Sequence, residues 1–131
     1  MTELNDLVQR IGSVNEKSGF HRYNLQPNDE TKLLYMGNKL ALVHGEISEA
    51  HDEIRNGHGL TETYYPTAPK PGQIVDAAVH YYKPEGFPSE IADAIIRLLD
   101  IAYEADIDIE QIINEKVTYN ATREKLHGKK F

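Results

Sequence analysis

Residues 44–55 read HGEISEAHDEIR and place Glu46, Glu49, Asp52 and Glu53 within eight positions, with Arg55 the one Lys or Arg in the stretch. Farther along, PSEIADAIIRLLD carries Glu90, Asp93, Arg97 and Asp100 at a similar three-and-four spacing. Side chains three or four residues apart on a helix share a face. Such crowding of like charge has two readings. It is a solvated acidic face, or it is the ligand set of a cation. Ligands that are all carboxylate oxygen suit a hard ion, so the second reading means Mg²⁺, with Mn²⁺ as the alternative.

The elements that position these acids decide between the readings. Leu33, Met36, Leu40, Val43, Ile47, Ala50 and Ile54 step by three and four, which predicts one long helix with a sustained apolar stripe. Glu46, Glu49 and Glu53 each precede one of these apolar positions. One residue is about 100° of rotation on a helix, so the acids flank the stripe and do not oppose it. Glu90 and Asp93 flank Ile91 and its neighbours in the same way on a later helix. If the two helices pack side by side, E-x-x-E and E-x-x-D bring Glu46, Glu49, Glu90 and Asp93 together. Four anions converge only at a large repulsive cost unless cations lie between them.

The rest of the chain is consistent with one all-α domain over residues 1–131. Its 131 residues suffice for a real core, and 40% are hydrophobic. Twenty-one acids against 14 Lys and Arg give a net charge of -7, which disfavours a nucleic-acid polymer as partner. No cysteine is present, so thiolate chemistry and disulfides are excluded. The stretch MTELNDLVQR lacks the apolar region of a signal peptide, and no apolar run is long enough for a membrane. A cytoplasmic protein is the expectation.

Leu4, Leu7, Val8, Ile11 and Val14 predict a first helix, with Thr2 as N-cap. The long second helix should end at RNGHG, where Asn56 and Gly57 suit a C-cap. Ser89 is the expected N-cap of the third, after the boundary residue Pro88, with Ile91, Ile95, Leu98, Leu99 and Ala102 inward. Asp108 should cap the fourth in a capping-box pattern with Gln111, with Ile109, Ile112, Ile113 and Val117 inward. Four amphipathic helices imply a bundle. Between the second and third lies an insert, residues 58–88, that holds five of the six prolines and the pairs Tyr64-Tyr65 and Tyr81-Tyr82. TETYY and AAVHYY read as a small β-hairpin, or the segment is a flap.

On the fourth helix Lys116, Asn120, Arg123 and His127 fall on one polar stripe. Lys and Arg suit phosphates, and Asn suits an amide-like edge. Basic residues near a helix C-terminus also complement its dipole, which is the plainer reading of this stripe taken alone. Carboxylates for a metal beside bases for phosphate point to a metal–nucleotide complex. His44, His51 and His58 recur every seven residues, which is the wrong period for a helical metal pair, so they read as surface or interface residues. The E-x-x-H of Glu124–His127 occurs once, where a di-iron bundle needs two copies. Gly37 and Gly45 inside the long helix suggest close helix contact at a dimer seam.

KLALVHGEISEAHDEIRNG, GFPSEIADAIIRLLDIA and KVTYNATREKLHGKKF together resemble the MazG-like all-α nucleoside triphosphate pyrophosphohydrolases. The resemblance covers roughly residues 30–57 and 86–131. It implies a four-to-five-helix bundle that completes its core as a homodimer or homotetramer. It implies Mg²⁺-dependent hydrolysis of a nucleotide between the α- and β-phosphates. By position, Glu46, Glu49, Glu90 and Asp93 become the metal ligands, with Glu49, helped by Glu46, as the catalytic carboxylate at the attacking water. Lys116, Asn120 and Arg123 become substrate-binding residues, and Lys39 joins them. The insert departs from the family's short linker and leaves its own role open: a lid, an oligomer contact or decoration. The alternatives are a hydrolase of another pyrophosphate linkage, such as that of phosphoribosyl-ATP, and a non-catalytic acidic helical adaptor.

Overall fold

Asn28 opens the longest helix. Its side chain accepts from Thr31 N at 2.9 Å, while Asn28 N donates to Thr31 Oγ1 at 3.4 Å. This reciprocal capping box satisfies N–H groups that a helix start otherwise leaves without partners. The computed structural model describes residues 3–68, 82–123 and 125–130. Within them four α-helices follow in order: α1 (Glu3–Lys17), α2 (Asp29–Arg55), α3 (Phe87–Glu104) and α4 (Ile109–Ala121). Short 3-10 turns lie at Tyr23–Leu25 and Lys125–Gly128. No strand occurs among the described residues, so the fold is all-α. None of the described helices is long and apolar enough to cross a membrane.

The expected C-terminal end of α2 and the start of α4 are found. α2 stops at Asn56, and Gly57 follows in the left-handed region at φ 86°. Asp108 accepts from Gln111 N at 3.2 Å at the head of α4. Thr2 lies outside the described residues. The start of α3 differs from expectation. Gly86, not Ser89, is the N-cap, and Pro88 sits in the first turn, where its missing N–H costs nothing. Ser89 Oγ instead donates to Pro84 O at 2.9 Å. Gly86 makes the earlier start possible. It has φ 121° and is buried, and a Cβ there would collide with the carbonyl oxygen of Glu62.

α2 and α3 form the main packing pair, α1 lies on α3, and α4 touches α1 more lightly. The core consists of Val8, Val43, Ala50, Ala94, Leu99 and Ala102. Small side chains at Ala50, Ala94 and Ala102 suit close helix approach. Much of the expected core does not reach it. On α2, Val43 and Ala50 turn toward α3, but Leu33, Leu40, Ile47 and Ile54 stay 74%, 47%, 53% and 45% exposed. On α3, Leu99 and Ala102 are buried while Ile91, Ile95 and Leu98 are exposed. On α4, Ile112, Ile113 and Val117 are exposed and Ile109 is half-buried. The reason is geometric. A wide apolar stripe needs neighbours on both flanks; among the described elements α2 packs mainly on α3 and α4 only lightly on α1, and α3, which meets both α2 and α1, keeps Ile91, Ile95 and Leu98 outside those contacts.

The described parts of the insert meet at its base. Tyr64 N donates to Glu85 O at 3.0 Å and Glu85 N to Tyr64 O at 2.8 Å, a single antiparallel bridge. Tyr64 of TETYY thus pairs beyond AAVHYY, whose residues 77–81 lie outside the described residues.

Candidate metal centre

α2 and α3 bring three of the four expected ligands to one point. One carboxylate oxygen from each of Glu46, Glu90 and Asp93 lies within 4.8 Å of the other two. Glu49, the fourth, is exposed and stands at the rim of the same acidic cleft. Its carboxyl still reaches Glu90. Burial, then the neighbouring Glu49 carboxyl, then Asp93 and Glu46, push the Glu90 carboxyl up to about 8. Glu90 is only 6% exposed, and its Oε2 is buried without a hydrogen-bond partner among the described residues.

Arg97, on the same face of α3, holds Glu46. Its Nε donates to Glu46 Oε1 at 2.7 Å. Burial alone would raise the Glu46 carboxyl, but the Arg97 hydrogen bond and charge outweigh it and hold that carboxyl below its ordinary range. Asp93 is pushed up, first by burial and then by the charge of Glu46. The cluster is therefore uneven: one acid kept ionised by an arginine, two pressed toward the neutral form. The stripe Glu90, Asp93, Arg97, Asp100 is legible in the sequence, but the pairing of Arg97 with a helix far away in the chain is not.

Beside the cluster opens a cavity of about 480 Å³, lined in part by Asn15, Phe20, Asn38, Lys39 and Arg97, and by Glu46 and Asp93 themselves. Lys39 is bound on its wall. Its Nζ lies 2.9 Å from Glu104 Oε2 and 3.7 Å from Asp100 Oδ2, donates to Phe20 O at 3.3 Å, and stands over the Tyr35 ring. Burial would lower the Lys39 ammonium; the bonds to Glu104 and Tyr35 outweigh it and raise it. His21 Nε2 meets Asp100 Oδ1 at 2.8 Å, and Tyr35 OH donates to Glu104. This polar knot ties the 18–28 loop to α2 and α3. Sequence reasoning missed it, since no local spacing links residues as far apart as His21 and Asp100.

The basic stripe stands apart within one chain. Lys116, Asn120 and Arg123 are exposed, Arg123 lies over its own neighbour Tyr119 at 5.8 Å, and none of the three lines the cavity or the acidic cleft. His44 and His51 are exposed, as expected. His58 is half-buried: it stacks on Tyr64 at 4.6 Å and bonds Glu62 through Nδ1 at 2.7 Å.

The residues present fit a hard cation. The donors are all carboxylate, they come from two packed helices, and a buried oxygen with no partner among the described residues lies among them. Neither the protein-family models, nor the curated proteins, nor the solved structures contain a match to this chain.

Proposed function

We propose that the chain is a Mg²⁺-dependent nucleotide pyrophosphohydrolase that cuts a nucleoside triphosphate between its α- and β-phosphates. The observation that carries this reading is the meeting of Glu46, Glu90 and Asp93, with its buried unpartnered oxygen, at the mouth of a cavity. Glu46, Glu90 and Asp93, with Glu49 at the rim, would hold the ion. A bound Mg²⁺ supplies charge neutralisation at the phosphates and a more acidic water.

The chain's own groups do the rest. Glu49, exposed and next to Glu90, takes the proton of the attacking water. The water oxygen forms a bond to the α-phosphorus, the bond from that phosphorus to the α–β bridging oxygen breaks, and pyrophosphate leaves with the electron pair. Arg97 lies where cavity and acids meet and is a natural clamp for a phosphate, exchanging Glu46 for it. Phe20 offers an apolar face, and Asn15 and Asn38 offer amides, for the nucleoside in the cavity.

Lys116, Asn120 and Arg123 serve the same reaction if a second copy presents its α4 to this cleft. A homo-oligomer is favoured by the exposed apolar side chains that run along α2, α3 and α4.

The test is hydrolysis of a panel of canonical, deoxy and modified triphosphates and of phosphoribosyl-ATP, with Mg²⁺ or EDTA, in ¹⁸O-labelled water. The expected products are a labelled monophosphate and unlabelled pyrophosphate, formed with Mg²⁺ only. Inorganic phosphate as first product, or label in pyrophosphate, would overturn the reaction assigned.

A further inference from the structure

We propose that the chain holds a second divalent cation at Glu53, Glu85 and Glu90, with the Glu90 carboxylate shared between the two ions. The inference builds on the reading of Glu46, Glu90 and Asp93 as a cation site. One carboxylate oxygen from each of Glu53, Glu85 and Glu90 lies within 4.8 Å of the other two, as in the first group. Around an octahedral Mg²⁺ neighbouring oxygens stand about 3 Å apart and opposite ones about 4.2 Å, so each group closes on an ion by drawing its side chains inward. Glu90 belongs to both. It is nine-tenths buried, and its Oε2 has no partner among the described residues. An ion on either side of it supplies what the protein does not.

Charge gives a separate argument. Seven acidic side chains and one lysine, Lys83, line the cleft that contains both groups. One dication leaves most of that charge uncompensated; two offset four of the seven.

The fold also positions the second group deliberately. Tyr64 OH donates to both oxygens of Glu53, at 2.9 and 3.0 Å, which fixes that carboxylate and leaves lone pairs free. The Tyr64–Glu85 backbone bridge sets Glu85 beside it, and Gly86 lets the chain turn straight into α3 and Glu90. The competing partners are weak. Lys83 Nζ lies 3.2 Å from Glu85 but its side chain is 75% exposed, and such surface pairs give way readily. His58 Nε2 stands off Glu53 at 3.7 Å. The base of the insert thus becomes part of the metal centre.

The experiment is Mn²⁺ titration of the full chain without nucleotide, by calorimetry and electron paramagnetic resonance, with circular dichroism to verify folding. Wild type should bind two Mn²⁺ per chain and show a spin-coupled signal. Glu85→Gln, and independently Glu53→Gln, should bind one ion and show the six-line signal of isolated Mn²⁺. A single ion in the wild type, or two ions in both folded variants, would sink the second site. Asp93→Asn keeps the two readings distinguishable. If wild type binds one ion and Asp93→Asn none, the first site stands and the second fails. If Asp93→Asn binds as wild type does, it is the first site that fails.

Discussion

Arg97 and Glu46, 51 residues apart, are joined across the α2–α3 interface by a 2.7 Å hydrogen bond. The guanidinium takes one oxygen of a carboxylate in the proposed cation site and leaves Glu46 Oε2 free of that bond. An ion entering the cluster would therefore meet a positive charge at its edge, one that Arg97 can turn toward another anion.

Removing the competitor should favour the ion. Arg97→Met keeps the aliphatic stem and drops the charge. The Arg97 side chain is 42% exposed, so the electrostatic effect at the cluster is small, about 1 kcal/mol. Mg²⁺ affinity without nucleotide should rise about fivefold at low salt, and less at high salt. Nucleotide affinity should fall in the same variant. Calorimetric titrations with each ligand read both; unchanged Mg²⁺ affinity would show that Arg97 does not compete.

Glu90 should make the metal-free protein less stable as pH rises. Its folded value of about 8 lies above the ordinary 4.5, so between these the folded chain binds more protons than the unfolded one. Stability is then greatest below about 4.5 for this group and declines as pH rises through about 8. With EDTA present, the melting temperature at pH 8 relative to pH 6 should be lower for wild type than for Glu90→Gln. Mg²⁺ should reverse the trend, because it replaces the proton and binds the native state. A wild-type curve parallel to that of Glu90→Gln in EDTA would remove Glu90 as the source.

Sequence and structure part company at particular residues. The C-terminal end of α2 and the cap of α4 are legible because Asn56, Gly57 and Asp108 act on their own neighbours. Glu46, Glu90 and Asp93 are legible because helical spacing fixes which acids share a face, and two helices suffice to bring them together. Glu53 carried a signal too, as the third acid of the Glu46 and Glu49 stripe. Glu85 carried none: a backbone bridge to Tyr64 places it, and no periodicity announces a bridge. Ser89 misled because its residue type is the commoner cap, while Gly86 was needed for its φ. The polar knot of His21, Lys39, Asp100 and Glu104 joins three distant segments, so only the folded chain reveals it.

That knot predicts what Lys39 does. Glu104 and Asp100 are nearly buried, and Lys39 is the ammonium that faces both. Burial raises the Glu104 carboxyl, and the bonds from Tyr23 N, Lys39 and Tyr35 outweigh it and hold it low. Lys39→Met should destabilise by about 3–5 kcal/mol, as expected when one partner of a buried pair is removed. Urea denaturation measures this. A loss of activity with unchanged stability would instead make Lys39 a substrate ligand alone.

The exposed flank of α2 supplies the last prediction. Leu33, Leu40, Ile47 and Ile54 recur every seven residues and stay exposed, while Val43 and Ala50 beside them are buried against the chain. A seven-residue recurrence keeps one seam pointed at one partner along the whole helix. Gly37, four residues after Leu33 and three before Leu40, meets nothing within 4 Å where a Cβ would stand, so it leaves room for close approach beside that seam. Burying each of the four apolar side chains is worth about 1.5–3 kcal/mol. A second copy of the helix, antiparallel or parallel, would cover them. Wild type should therefore sediment as a dimer or a dimer of dimers at micromolar concentration, with a melting temperature that rises with concentration. Leu40→Glu and Ile47→Glu should each shift the species toward monomer and abolish that concentration dependence. Ser48→Glu, also exposed on α2, serves as the charge control and should leave assembly unchanged. A wild type that sediments as a folded monomer at micromolar concentration would overturn the α2 seam, and with it the route by which α4 of a second copy brings Lys116 and Arg123 to the acids.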